Sequence, residues 1–266
     1  MIPITKPHGK HSAPPRGERA YEKEKKKPPA YAEALPAGRQ ATAGKPSPHL
    51  EVVPAVLRNT WEGIQADWEK IYEIVDHAQI DVTDGIFAGE GTFREVRRFK
   101  QLPQSEKIEL HMMVHTPANF VDDVIDLAPA RCIFHLESFS GTNDLTMVFE
   151  KLREKTQAQL ALALNPESPN ERLEEHLGLI DYVLFMGYNP GWANQPVKPE
   201  VYMKIGQWAD KHPTVPIAVD GAVGKETVGL YVKAGANILC ANTSIFGQGE
   251  PKENYRQLKL LAEAAR

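Results

Sequence analysis

Cysteine is scarce in this chain, which has two, Cys132 and Cys240, among its 266 residues. One pair cannot build a disulfide framework, so we expect a protein of a reducing compartment, the cytoplasm. Long apolar runs are absent as well, because none approaches the roughly 18 to 20 residues that span a membrane. The basic start of the chain also lacks the apolar core of a secretory signal. We therefore expect no membrane partner.

Positive charge is not in excess, since 31 Lys and Arg stand against 35 Asp and Glu, for a net charge of −4. Nothing in this balance indicates a nucleic-acid partner. Residues 1–48 are rich in Pro, Lys, Gly and Ala, include the run KEKKK, and have few branched aliphatics. Such a segment cannot bury enough apolar surface to offset its ordering entropy, which predicts a disordered, low-complexity tail. A basic arm for RNA or acidic lipid is the less favoured interpretation, because charge runs are usually solvated.

Residues 49–266 show a regular alternation of short apolar runs and longer stretches with helical periodicity. The runs are EVVPAVL, QIDVTD, IELHMMV, RCIFHLES, QLALALN, DYVLFMG, PIAVDG and NILCAN. Repeated strand and helix units imply parallel strands joined by crossover helices. The pattern predicts an α/β protein with one domain, a (β/α)8 TIM barrel. An open, doubly wound sheet is the alternative, because alternation alone does not prove closure.

Polar residues close several predicted strands, at the end where a barrel of this kind collects its chemistry. They are Asp81, His111, His135, Asn165, Asn189 and Asp220. Each alone could be a turn former or a helix cap, but their shared position in the repeat indicates a site. Asp81 and Asp220 could face each other over a small ligand from opposite sides of the barrel mouth. One carboxylate could then remove a proton from carbon while the other returns one to the opposite face.

Several motifs, in their order and spacing, resemble the ribulose-phosphate 3-epimerase family from about Val52 to Gly247. They are DVTDGIFAGEGTF, LHMMVHTPANFVDDV, FHLES, LALNPESP, VLFMGYNPGWANQ, PIAVDGAV and AGANILCANTSIFG. The resemblance implies a (β/α)8 barrel that binds a pentulose 5-phosphate and a divalent metal. It also implies interconversion of D-ribulose 5-phosphate and D-xylulose 5-phosphate by inversion of carbon 3, a reaction of the pentose phosphate pathway.

The resemblance assigns roles to individual residues. Asp81 and Asp220 match the paired acid and base, which are also metal ligands, and His111 matches a further ligand that contacts substrate. Met113 and Met186 match methionines beside the reacting carbons. Loop glycines and helix starts, which favour anions, would hold the phosphate. The matching residues are Gly191, Trp192, Ala193, Asn194, Gly221, Ala222, Asn242 and Thr243.

The chain departs from the family pattern in the same region. Gln79 stands where the family has a metal-binding His, and Ala55 where it has a Ser that touches substrate. A Met has become Thr83, and three loop glycines are replaced by Ala193, Asn194 and Ala222. Gln79 still offers a carbonyl oxygen as a metal ligand, which suits magnesium or manganese better than zinc. The predicted cofactor is therefore a divalent cation, magnesium, manganese, iron or zinc, with tight zinc binding least expected.

Two functions remain open from the sequence. The first is metal-assisted epimerisation of a ketose phosphate, an isomerase activity that the retention of Asp81 and Asp220 favours. The second is a catalytically impaired barrel that binds a sugar phosphate as a sensor or structural subunit, which the changes at Gln79 and Ala55 favour. Both functions require a small-molecule sugar phosphate as the binding partner. Barrel enzymes often associate, so a homo-oligomer is open beside a monomer.

Overall fold

The computed structural model describes residues 49–191 and 195–266 of the chain. The tail expected over residues 1–48 lies outside the described residues, and so do Trp192, Ala193 and Asn194. Within the described residues, no helix has the length and apolar character needed to cross a membrane.

Eight parallel strands close into a barrel in sequence order. The strands are β1 (Glu51–Val56), β2 (Ala78–Thr83), β3 (Ile108–Met113), β4 (Arg131–His135), β5 (Gln159–Leu164), β6 (Tyr182–Met186), β7 (Ile217–Asp220) and β8 (Ile238–Ala241). Closure comes from the parallel pairing of β1 with β8, in which Glu51 lies opposite Ile238 and Pro54 opposite Ala241. The barrel prediction is confirmed, and the open doubly wound sheet is excluded.

Helices cover the outside of the barrel. The α-helices of the described residues are α1 (Trp61–Ile71), α2 (Val121–Leu127), α3 (Thr142–Lys155), α4 (Glu171–Glu174), α5 (Glu200–Lys211), α6 (Val228–Ala234), α7 (Thr243–Phe246) and α8 (Pro251–Ala264). Their apolar faces pack on the strands, and Trp68 of α1 and Trp208 of α5 are almost fully buried there. The Thr60 side chain caps α1 by accepting the Gly63 N–H at 3.1 Å, as N-cap residues do.

The connection from β2 to β3 departs from the simple strand and helix alternation. Instead of an α-helix it contains two 3₁₀ segments, Val96–Gln101 and Ser105–Lys107. The buried residues of the first segment are Val96 and Phe99. Because a 3₁₀ helix has three residues per turn, these two side chains lie on the same face. Pro103 follows closely and supplies the carbonyl that accepts the Trp68 indole N–H at 2.8 Å. Further 3₁₀ turns occupy Pro117–Phe120 and Leu136–Ser138.

The barrel interior is filled in layers, because alternate residues of each strand point inward. On β4, Arg131, Ile133 and His135 follow one another along the inward face. Near the amino ends of the strands, Arg131 lies 3.2 Å from Oε2 of the buried Glu109 and 2.8 Å from Oε2 of Glu51. Ile133 belongs to an apolar layer inside the barrel. His135 then opens a second polar layer at the carboxyl ends of the strands.

Candidate active site

Three of the residues predicted at strand ends meet in one cluster at the carboxyl end of the barrel. Nδ1 of His111 lies 3.0 Å from Oδ1 of Asp81 and 3.1 Å from Oδ2 of Asp220. The register of β2 and β3 places Asp81 opposite His111. His111 is fully buried and Asp81 is almost so. Their proximity supports the prediction of one shared site.

The expected separation of the carboxylates needs correction. Asp81 and Asp220 do not stand on opposite sides of the barrel mouth, since β7 and β2 are separated only by β8 and β1. At this level β1 contributes the small side chain of Ala55, which pairs in register with Gln79. The two carboxylates therefore approach each other beside β1, and one neighbouring side chain reaches both.

That side chain is Gln79, which is fully buried. Its Nε2 donates to Oδ1 of Asp81 at 2.8 Å and to Oδ2 of Asp220 at 2.7 Å. Nε2 is also 3.4 Å from Nδ1 of His111. Ionised carboxylates only accept hydrogen bonds, so they require the NH₂ side of the amide. The carbonyl Oε1 is buried without a hydrogen-bond partner among the described residues. Gln79 thus bridges the two acids.

Burial and charge shift the pKa values of this cluster strongly. Burial raises the pKa of Asp81 to about 6, with a further increase from the charge of Asp220, while hydrogen bonds with His111 and Gln79 oppose the rise. Burial lowers the pKa of His111, but hydrogen bonds to Asp220 and Asp81 outweigh it and raise the value to about 10. The site therefore favours a protonated His111 imidazole between the two acidic side chains.

His135 and Asn165 lie beside the cluster, as their strand-end positions predict. Nε2 of His135 is 2.9 Å from Nε2 of His111, and Nδ1 of His135 is 3.2 Å from Oδ1 of Asn165. Asn189 is not brought to the cluster. It lies in the loop after β6, where its side-chain oxygen accepts from Lys198 at 3.0 Å.

The loop after β2 reaches over the site. Asp84 acts here as a turn former, since its Oδ1 accepts the backbone N–H groups of Ile86 and Phe87 at 2.9 and 2.8 Å. The turn places the Phe87 ring 4.8 Å from the ring of His135. Thr83, where the family has Met, donates to the Glu90 carbonyl at 2.5 Å and holds the loop to its strand.

The residues expected to contact substrate lie around this mouth where the structure describes them. Met113 and Met186 are buried at the ends of β3 and β6. Gly191 lies against the loop after β2. A Cβ atom added to Gly89 in that loop would be 2.3 Å from the carbonyl oxygen of Gly191. Gly221 and Ala222 follow β7 with φ of +107° and +54°, so Ala222 holds a conformation that usually favours glycine.

Asn242 and Thr243 begin the short helix α7 after β8. The Asn242 side chain donates to the Ala55 carbonyl at 2.6 Å, which ties this turn to β1. Ser244 donates to the Val223 carbonyl at 2.7 Å and holds the turn against the loop after β7. The loops after β7 and β8 therefore form one continuous wall of the mouth.

Tyr188 is a residue that the sequence reasoning missed. Its ring lies against Gly221, where an added Cβ would be 3.2 Å from two ring carbons. Burial raises the pKa of the phenol, as do the nearby charges of Asp220 and Asp81, so the hydroxyl keeps its proton. The only signal was its position in the strand-six motif, two residues after Met186. The phenol is part of the wall of the site.

The family model of the ribulose-phosphate 3 epimerase family matches residues 51–246. The chain belongs to the ribulose-phosphate 3-epimerase family. It is therefore an isomerase, of the kind that epimerises carbohydrates. The match covers all eight strands and ends at Phe246, the last residue of α7.

Relatives in this family are similar over most of their length. A ribulose-phosphate 3-epimerase of Candida glabrata is 29% identical over 76% of this chain and 88% of its own. One of Methanocaldococcus jannaschii is 29% identical over 79% of this chain and 90% of its own. One of Chlamydia muridarum is 30% identical over 69% of this chain and 82% of its own.

Solved structures support the fold alone, because their sequence identities are low. KGPDC of Streptococcus mutans superposes with a TM-score of 0.63 at 10% identity, over 82% of this chain and 99% of its own. The 3-hexulose-6-phosphate synthase of Salmonella typhimurium gives 0.62 at 14% identity, over 82% of this chain and 100% of its own.

The cluster fits a metal ion in its number and kind of ligand atoms. One atom each from Asp81, His111 and Asp220 lies within 4.8 Å of the others. Carboxylate oxygens and an imidazole nitrogen are ligands that divalent cations accept, and His111 Nδ1 lies 3.0 and 3.1 Å from the two carboxylate oxygens. A fourth protein ligand requires the Gln79 amide to turn over, which would give its unpartnered Oε1 a bond.

Proposed function

We propose that this protein interconverts D-ribulose 5-phosphate and D-xylulose 5-phosphate by inverting carbon 3, with Asp81 and Asp220 as the paired acid and base. The observation that carries the proposal is that the two carboxylates share one buried cluster, in which Gln79 donates to Asp81 at 2.8 Å and to Asp220 at 2.7 Å. The family and the names of the relatives support the substrate and the reaction.

Inversion at one carbon requires a proton to leave one face and another to arrive on the opposite face. Oδ1 of Asp81 and Oδ2 of Asp220 hold the cluster together, so the second oxygen of each carboxylate serves the substrate. One acid takes the proton beside the ketone, and the other protonates the enediolate from the far side. His111, with Nδ1 between the acids, contributes positive charge close to the negative charge that develops on the substrate oxygens.

A divalent cation held by Asp81, His111 and Asp220 would add Lewis-acid stabilisation of the enediolate. Its fourth protein ligand would be the carbonyl oxygen of Gln79. An amide oxygen is a harder and weaker donor than imidazole, so magnesium or manganese suits this set better than zinc, with iron between them. His77 does not replace the family's His, because its Nδ1 pairs with Oε1 of Glu51 at 2.7 Å, near the amino end of the barrel.

The remaining substrate contacts follow the family assignment. His111, Met113 and Met186 surround the reacting carbons. The phosphate is held by the loops after the last three strands, with Gly221 and Ala222 after β7 and Asn242 and Thr243 at the start of α7. Gly191 with Trp192, Ala193 and Asn194 completes the phosphate loop, and these last three lie outside the described residues. Backbone N–H groups in such turns and helix starts suit an anion.

The test is exchange of the carbon-3 hydrogen of ribulose 5-phosphate in deuterated water, with and without added manganese. The proposal expects deuterium at carbon 3 and formation of xylulose 5-phosphate. The proposal is contradicted if calorimetry shows binding of ribulose 5-phosphate but no hydrogen exchanges at carbon 3, with or without manganese. An incubation of ribulose 5-phosphate with heat-denatured protein controls for uncatalysed exchange.

One observation favours the second candidate, a barrel that binds sugar phosphate without turnover. The Gln79 amide already satisfies both carboxylates, and an acid held in this way is a poorer base. Binding without exchange in the experiment above is the result that this candidate expects. The same outcome in the presence of several metals would make a sensor or structural subunit the better assignment.

We also propose the cellular setting that the reaction implies. The enzyme works in the cytoplasm, in the pentose phosphate pathway, and takes a small sugar phosphate as its partner. Residues 1–48 are a dispensable tail ahead of a single barrel domain, and a homo-oligomer is open beside a monomer. Sedimentation of the purified protein measures the last of these directly.

A further inference from the structure

Two fully buried histidines of the site share one hydrogen. Nε2 of His111 and Nε2 of His135 are 2.9 Å apart, and their rings are stacked with centroids 5.1 Å apart and planes at 16°. Neither ring has solvent access. At this distance one nitrogen must donate and the other accept, because two N–H groups or two lone pairs would repel without water to relieve them.

The surroundings of His135 decide which ring donates. Its Nδ1 is 3.2 Å from Oδ1 of Asn165 and 3.8 Å from Oε2 of Glu137. That carboxylate oxygen is buried and has no hydrogen-bond partner among the described residues. A carboxylate oxygen can only accept, so Nδ1 of His135 carries a hydrogen.

The contacts of the two rings leave the lone pair on Nε2 of His135. His111 Nδ1 has two carboxylate oxygens at 3.0 and 3.1 Å, whereas the nearest carboxylate oxygen to His135 is at 3.8 Å. A neutral imidazole carries one hydrogen, and in His135 it lies on Nδ1, so the hydrogen between the two Nε2 atoms belongs to His111. His135 is then neutral with its hydrogen on Nδ1, and His111 donates from Nε2.

The loop after β5 holds His135 in this arrangement. Oε1 of Glu137 accepts the Asn165 N–H at 3.0 Å and the Ser168 hydroxyl at 2.5 Å. Lys204 of α5 donates to the carbonyls of residues 165, 166 and 168 at 2.9, 2.9 and 2.6 Å. The acceptors of His135 are thus anchored to the outer helix layer.

We propose that His135 is a positioning residue, which with Asn165 and Glu137 keeps a hydrogen on Nε2 of His111 and so reserves Nδ1 of His111 for the two carboxylates. Nδ1 of His111 can then carry a proton or act as a ligand without rotation of its ring. Partners outside the ligand set commonly orient metal-binding histidines in this way. The consequence for turnover rests on the function proposed above, whereas the hydrogen arrangement does not.

The direct test is a two-bond ¹H–¹⁵N correlation spectrum of the full chain with labelled histidines, which distinguishes the two neutral tautomers and the charged ring. Signals are assigned with His135→Gln and His111→Asn. We expect His135 to be neutral with hydrogen on Nδ1, and Nε2 of His111 to be protonated. A neutral His135 with hydrogen on Nε2, or a charged His135, would overturn the proposal even if the enzyme is inactive.

Variants test the positioning role. His135→Leu removes the acceptor, so Nε2 of His111 should lose its fixed hydrogen, and manganese affinity by calorimetry should fall about 10- to 100-fold. His135→Gln keeps an acceptor oxygen and should recover most of that loss. Ile133→Val, two residues earlier on the inward face, removes a buried methyl and no hydrogen bond, and should change neither readout.

The activity readout separates the two proposals. If the enzyme epimerises ribulose 5-phosphate, His135→Leu should lower kcat with little change in KM. An inactive enzyme with the expected tautomers contradicts only the proposed function. Unchanged His111 signals in His135→Leu would refute the positioning role. If that variant does not fold, Asn165→Leu should give a mixture of His135 tautomers, and an unchanged His135 spectrum there would refute the part assigned to Asn165.

Discussion

Replacing Gln79 by Met tests whether its amide bridges the two carboxylates. Met is unbranched and of similar length, so the change removes the polar atoms with little change of volume. The variant loses two hydrogen bonds to charged groups, of 2.8 and 2.7 Å, which contribute about 1.5 to 3 kcal/mol each. It also loses the unpartnered Oε1, whose burial costs about 1 to 3 kcal/mol.

The middle of each range leaves a net loss of about 2.5 kcal/mol in the free energy of unfolding. For a domain of this size the loss corresponds to a fall in Tm of roughly 5 to 10 °C. Thermal and urea unfolding are measured at neutral pH with a chelator present. Manganese added at about 100 times its Kd should then raise the free energy of unfolding by about 2.7 kcal/mol. The reason is that a cation bound by the two carboxylates replaces the bridging amide.

Gln101→Met is the matched control, since Gln101 is exposed on the first 3₁₀ segment. It should change stability by less than about 0.5 kcal/mol. If Gln79→Met costs less than about 1 kcal/mol with chelator present, the amide does not hold the carboxylates in the folded protein, and the bridging role of Gln79 is refuted.

Four further predictions concern the site and its surroundings. Asp81→Asn and Asp220→Asn should each lower kcat by about 10² to 10⁴, and a rate within about tenfold of the wild type would reject the acid and base assignment. Gln79→His should tighten zinc binding and raise turnover, and metal content measured under equal metal supply would show the opposite if imidazole is not the better ligand here. Deletion of residues 1–48 should leave Tm and activity unchanged, and an insoluble barrel would contradict this. Burial raises the pKa of Glu137, but the nearby His135 ring and hydrogen bonds from the Ser168 hydroxyl and the Asn165 N–H lower it to about 2. The stability that Glu137 contributes is complete above about pH 4.5 and is lost toward pH 2, so urea unfolding of the wild type should lose about 2 kcal/mol more than Glu137→Gln between about pH 6 and about pH 3.

Much of the fold could be predicted because its signals are local. Apolar runs of strand length, separated by segments with helical periodicity, predict each strand where the structure has it. Side chains alternate along a strand with a period of two, so the inward direction of Asp81 and His111 also follows from the sequence. The predicted site draws together because the carboxyl ends of parallel strands meet at one end of a barrel.

Local signals were insufficient where two structures satisfy the same pattern. The connection from β2 to β3 was expected to contain an α-helix, but it folds as 3₁₀ segments in which Val96 and Phe99 are buried. Closure of the barrel, too, depends on the pairing of β1 with β8, whose partners Glu51 and Ile238 lie at the two ends of the domain. Neither feature changes the apolar pattern from which the elements were predicted.

Residue type and order were enough to predict the eight strands, the family and the two candidate acids of the site. The role of Gln79, in contrast, depends on the folded arrangement. Its position in the motif identifies it as a replaced ligand, whereas the fold makes it a donor to Asp220, 141 residues away. That contact exists because ring closure leaves only β8 and β1 between β7 and β2. The buried amide hydrogens require acceptors, which the two carboxylates supply.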